Sequence, residues 1–164
     1  MPCDDITETL NLQLDEQERL SGYRLAKRTC GRAVGQESLL AAELAGRGAR
    51  AILDMDVEDF VADKNLVDEV ETFLTLKHFF AVKAGLRVFL GIESGAAGEP
   101  CTVATVICES GQWIVEVDIS VEALTQEIKS CGNCKGCGAL KKMFKQPPRM
   151  SFSESEPETA QTQP

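Results

Sequence analysis

The segment Thr7-Glu8-Thr9-Leu10-Asn11-Leu12-Gln13-Leu14 alternates along the chain and sets Leu10, Leu12 and Leu14 on one face. A period of two marks a half-buried strand. Asp15 to Gly22 is rich in turn residues, and Tyr23 to Thr29 alternates again, more weakly. The two runs read as an antiparallel hairpin. From Gly31 the pattern turns helical, with Leu39, Leu40 and Leu44 on one side and Gly46 and Gly48 closing it. Arg50 to Met55 continues as a short helix, and Asp56 is the N-cap of a turn carrying Val57, Phe60 and Val61. A longer helical pattern runs from Asn65 to about Leu90, with Leu66, Val70, Phe73 and Leu74 on one side and a break expected near Thr75 or Gly85.

Gly91 to Pro100 has the composition of a linker, and the sequence reading places a boundary there. Beyond it, Thr102 to Cys108 and Trp113 to Ile119 are β-rich runs joined by Glu-Ser-Gly-Gln, a hairpin signal. Ser120 opens a helix to about Lys129, a cysteine knuckle follows, and Lys141 to Lys145 is basic. From 147 to 164 the chain is Ser, Glu, Pro, Thr and Gln, a tail expected to be disordered. The expected fold is α+β, a small antiparallel sheet packed on helices over residues 1–90. A 91–100 linker and a small hairpin-helix, cysteine-rich module over 101–146 follow. There is no internal repeat.

The chain has 164 residues, 43% of them hydrophobic, enough for one core of ordinary size and a small appendix. A net charge of −9 gives no general electrostatic grip on nucleic acid or anionic lipid, so neither is an expected partner. The start Met-Pro-Cys-Asp-Asp has no basic or apolar leader region, and no stretch approaches a membrane span. A cytoplasmic protein is expected, and its seven cysteines then point to metal ligation or redox chemistry rather than a disulfide framework.

The knuckle Cys-Gly-Asn-Cys-Lys-Gly-Cys places Cys131, Cys134 and Cys137 at C-x-x-C-x-x-C spacing, with glycines that let the backbone fold around an ion or cluster. Three thiolates so spaced converge on one soft metal without identifying it. Zinc needs a fourth ligand, from Cys108 or Cys101, and a cluster can use the same set. Cys101 reads better as a small buried hydrophobe, whereas Cys108, at the hairpin turn, stands between the two roles.

Three further features are spread over the first half: Cys3-Asp4-Asp5, Cys30-Gly31 and Lys77-His78. Thiolate, carboxylate and imidazole together suit iron or zinc, although spacing alone does not bring them together. In order and spacing they resemble the NifU/IscU family of iron–sulfur cluster scaffolds. That family starts its core with Cys-Gly-Asp, matched by Cys3-Asp4-Asp5 with the glycine replaced. It continues with Gly-Cys-Gly and a small-residue helix, matched by Thr29-Cys30-Gly31-Arg32-Ala33-Val34, and Leu44 to Asp59 resembles its downstream pattern. Its Lys-x-His-Cys or Lys-His-Cys segment is matched by Lys77-His78.

The resemblance covers roughly residues 3 to 90 and implies a NifU/IscU-like sheet and helices. It implies ligand roles for Cys3, Cys30 and His78, and a ligand or release role for Asp5. The cargo it implies is an iron–sulfur cluster, with two iron and two sulfur atoms favoured, assembled or carried without a catalytic residue of the chain's own. The implied partners are a cysteine desulfurase and apo iron–sulfur acceptors, and a homodimer stays open. Two rivals stay open with it: a zinc-binding interaction protein with a structural knuckle, and a small iron–sulfur redox protein. The family's third cysteine, which receives sulfur, is here Phe79, and its Leu-Pro-Pro-Val-Lys motif has only Leu74-Thr75-Leu76-Lys77 in its place.

Overall fold

A computed structural model describes residues 8–29, 32–34, 36–64, 66, 68–96 and 99–132. In chain order these form strands β1 (Glu8–Leu14), β2 (Leu20–Thr29) and β3 (Arg32–Val34), then helices α1 (Ala41–Leu44), α2 (Ala49–Leu53), α3 (Val57–Asp63) and α4 (Glu69–Phe89). Strands β4 (Cys101–Glu109) and β5 (Gln112–Ile119) and helix α5 (Val121–Gly132) complete the described chain. The strands make one antiparallel sheet in the order β3-β2-β1-β5-β4. The architecture is α+β.

Strand β1 is central because its alternation gives it an inner row that is apolar after Glu8 at its start. Leu10, Leu12 and Leu14 are fully buried, and hydrogen-bonded neighbours flank the strand on both sides, from Glu8↔Lys27 to Leu14↔Leu20 on one and Glu8↔Ile119 to Leu14↔Trp113 on the other. Helix α4 lies across that inner row. A Cβ on Gly85 would come within 2.8 Å of Leu10 Cδ2 and 2.9 Å of Leu12 Cδ1, so only a glycine allows this closeness without a shift. From Thr75 to Val88 nearly every α4 side chain is buried, because the sheet, α2, α3 and α5 each cover a part of its circumference. Such a helix has no polar face for a periodicity argument to find.

The hairpins, the short second helix and the Asp56 cap follow the sequence reading; Asp56 accepts from the backbone N–H groups of Glu58 and Asp59. The β4–β5 turn puts Ser110 at φ 51° and Gly111 at φ 79°, the left-handed pair that a tight hairpin requires. Three features differ. Residues 32–34 form β3 against Lys27–Thr29 instead of starting a helix, since pairing to a strand end outweighs weak local helical preference. Helix α4 starts later than expected, capped by Asp68 on the N–H groups of Val70 and Glu71, and runs unbroken through Thr75 and Gly85.

The third difference concerns the boundary at 91–100. Strand β5 pairs with β1 along its whole length, and Val115, Val117, Ile119, Leu124 and Ile128 share one core with Leu10 and Leu76. The sheet therefore continues across the expected division between 1–90 and 101–146. Within the segment, Glu99 accepts from Ser94 Oγ and the Gly95 N–H, and Val103 N–H donates to Gly95 O. These bonds tie it down as a loop of the same unit. The Cys134–Cys137 part of the knuckle and the 147–164 tail lie outside the described residues. The edge strand β4 leaves Val103, Val106 and Ile107 exposed. No described helix is long and apolar enough to cross a membrane.

Gly85→Ala tests the crossing. Alanine ordinarily stabilises a helix interior by about 1 kcal/mol over glycine, whereas overpacking a filled core costs about 1–3 kcal/mol. The expected outcome of urea unfolding is a net loss of stability, opposite in sign to the helix-propensity effect.

Candidate functional site

At the end of the sheet where β1 begins, α4 brings Lys77 and His78 over the strand pair β1–β2. Glu8 opens β1, and Lys27 lies opposite it on β2. These four residues, with Gln36 and the apolar Leu25, Leu39 and Leu74, line a cavity of about 130 Å³. Its walls come from four parts of the chain: the start of β1, the later part of β2, the segment before α1, and α4.

His78 is buried, and its Nδ1 lies 3.0 Å from the hydroxyl of Tyr23, which also accepts from the Leu40 backbone N–H at 2.7 Å. Tyr23 is thus anchored by the loop before α1 and fixes the plane of the imidazole. Burial, and then the adjacent Lys77 charge, pull the His78 pKa down to about 4. The ring is therefore neutral near pH 7, the form in which imidazole ligates a metal. Burial likewise pushes the Tyr23 phenol up to about 12, against the opposing pull of the Leu40 N–H.

Glu8 is the unexpected member. Its side chain is fully buried and paired through Oε1 with Lys77 Nζ, whose side chain is 15% exposed. Its Oε2 has no hydrogen-bond partner among the described residues. A buried carboxylate with one oxygen unsatisfied is costly in a fold otherwise closed by leucines.

Of the residues singled out from sequence, His78 is in this cavity. Cys3, Asp5 and Cys30 lie outside the described residues, although Cys30 directly follows Thr29, the last residue of β2, and Asp5 precedes Glu8 by three positions. Cys108 is exposed on β4 and pairs with Trp113, itself opposite Leu14. That is the far end of the sheet from Glu8, roughly 20 Å away at the rise of a strand. Cys131 falls in the last turn of α5, and Cys134 and Cys137 are outside the described residues. Cys101 is fully buried, its thiol pushed up to about 12 by burial, as befits a small core residue. Among the described residues no group of three or more His, Cys, Asp or Glu side chains is placed to hold a metal ion.

Position 79 has an evident structural use. The fully buried Phe79 ring stacks on Phe60 with centroids 4.4 Å apart and meets Phe80 edge-on, and Lys83 Nζ sits 5.0 Å from its centroid. The side chain belongs to the α3–α4 core and does not line the cavity of His78. Sequence reasoning missed Glu8 and Tyr23. Glu8 carried a signal, since it shares the register of Leu10, Leu12 and Leu14 and is the one charged residue in that inward row. Tyr23, the single tyrosine of the chain, carried none.

Two larger openings contain no thiol or imidazole. One of about 520 Å³ lies on the outer sheet face by Thr9, Asn11, Gln13, Arg24 and Glu116; the other, of about 560 Å³, lies beside α3 among Glu43, Asp59, Asp63 and Lys64. No protein-family model, curated protein or solved structure matches the chain.

The depressed His78 pKa links stability to pH. The unfolded imidazole protonates near pH 6.5 and the folded one only near 4, so this contribution is complete above pH 6.5 and is lost as pH falls toward 4. The loss amounts to about 3 kcal/mol at most for such a shift. Urea titrations of the metal-free protein should show wild type losing more stability than His78→Asn between pH 7 and pH 4, and parallel profiles would contradict the assignment.

Proposed function

We propose that this protein is an iron–sulfur cluster scaffold or carrier that holds its cargo through the Cys3 and Cys30 thiolates, the His78 imidazole and the Asp5 carboxylate. The observation that carries this reading is the convergence of the β1 start, the β2 end and His78 on one cavity. Cys30 is one residue beyond β2, and the five residues from Cys3 to Glu8 span at most about 18 Å.

The surrounding chain suits such a role. Tyr23 holds the ring, burial keeps it unprotonated, and Leu25, Leu39 and Leu74 give the cavity an apolar part to its wall. A carboxylate is a weaker partner for iron than a thiolate, so Asp5 is the ligand through which an acceptor begins to take the cluster. Phe79 supplies no thiol for sulfur delivery, which favours carriage from a donor over assembly on this chain. The cysteine desulfurase and apo acceptors implied by the resemblance are the proposed partners. The knuckle at Cys131, Cys134 and Cys137 is a second thiolate set, and zinc is its alternative occupant.

Anaerobic reconstitution tests the reading. The protein should retain iron and acid-labile sulfide with visible absorbance. Cys30→Ser and His78→Asn should each weaken iron retention by tenfold or more, the least that loss of even an outer-shell partner usually costs. Cys108→Ala, at the opposite end of the sheet, should leave it unchanged. Zinc as the sole metal, with no visible absorbance after reconstitution, overturns the proposal.

A further inference from the structure

We infer that the second half of edge strand β4, residues 105–109, pairs antiparallel with the same strand of a second copy of this chain. Among the described residues β4 has a ladder partner, β5, on one side alone. On its other side the first half of the edge is closed: Val103 N–H donates to Gly95 O at 3.3 Å, and the register shifts between Val103 and Thr105. A covering loop and a bulge are devices that keep sheet edges from pairing. Neither reaches residues 105–109, all of which are exposed, Val106 by 45% and Ile107 by 40%. Lysine and proline, the other usual guards of an edge, are absent from Cys101–Glu109.

Charge and register select a second copy as the occupant. Residues 101–108 carry no charge, so the strand offers no grip to a strongly basic or acidic partner, and two chains of net charge −9 can meet there without setting carboxylates face to face. A two-fold contact uses the same patch on both copies. Centred on Ile107, it pairs Ile107 with Ile107 of the second copy, Val106 with its Cys108, and Thr105 with its Glu109, each pair on one face of the joined sheet. On the outer face Ile107 already neighbours Ile114 of β5, so the contact completes a row of four isoleucines. On the core face Val106, beside the buried Val115, meets Cys108, beside Trp113. Apolar pairs across neighbouring strands stabilise a sheet, and like charges opposite each other destabilise it. A centre at Val106 instead sets Glu109 against Val103, in the half of the edge that Gly95 closes. The short edge contact is at the low end of interface area, so the dimer forms and dissociates with concentration.

Sedimentation velocity of the full chain over a range of concentrations, in buffer with a chelator and a thiol reductant, tests this. Those additives remove metal-bridged and disulfide-linked dimers, which makes the outcome independent of the cluster-site reading. The wild type should pass from one chain to two as concentration rises, and more readily at high salt, which screens repulsion between two acidic copies. Ile107→Lys sets two ammonium groups opposite each other and should weaken association about tenfold or more. Thr105→Lys, which faces Glu109 of the second copy, should hold wild-type strength or tighten it. Hydrogen exchange supplies a check that needs no variant: backbone amides within residues 105–109 should exchange more slowly as concentration rises. A wild type that stays a single chain up to its solubility limit overturns the proposal, as does exchange at 105–109 that is unchanged by concentration. Equal weakening by the two lysine substitutions also overturns it.

Discussion

Everything in the molecule is arranged about one close approach, that of α4 to β1 at Gly85. The absence of a side chain there brings the helix backbone down onto Leu10 and Leu12, and two rises then set the geometry of the site. The seven residues from Gly85 back to His78 cover about 10 Å of helix, and the three from Asn11 back to Glu8 cover about 10 Å of strand. Helix and strand thus deliver the imidazole and the carboxylate to the same end of the sheet. A larger residue at 85 would lift α4 and separate the two groups without touching either.

The same helix shows how polar groups survive in a crowded interior. Lys83 is buried, and its ammonium donates to Met55 O at 2.8 Å while lying over the Phe79 ring; burial holds its pKa below the usual lysine value. His78, one face around, is served by Tyr23. Lys77 and Glu8 serve each other, but with one oxygen left over. Among the described residues the second oxygens of Glu43 and Glu93 are left in the same condition, so ion pairing through one oxygen is a recurrent arrangement in this interior.

Much of the fold was legible because its strands obey a period of two and its turns carry the residues that their dihedral angles demand. Leu10, Leu12 and Leu14, the Ser110-Gly111 turn and the Asp56 cap are local signals, readable within a few residues. What was hidden is non-local. Strand β3 exists through its pairing with β2, α4 stays straight through Gly85 because the sheet is beneath it, and the 91–100 segment reads as a linker because nothing in its composition reveals β5 returning to β1. At the site, His78 was readable as a metal-binding residue type. Glu8 was overlooked because a carboxylate in a strand looks solvated, and Tyr23 because its partners are distant in sequence.

The central position of β1 also has a temporal consequence. Its pairing to β5 joins residues about 100 positions apart, from Leu14↔Trp113 to Glu8↔Ile119. At a synthesis rate of about 5–20 residues per second, that interval is on the order of 5–20 s. During it, the nascent first half holds an open strand edge beside its row of leucines, a surface prone to pairing with the wrong chain. The last strand to emerge is the one that seals the middle of the sheet, so a ribosome stalled before residue 112 would display a core still lacking Val115, Val117 and Ile119.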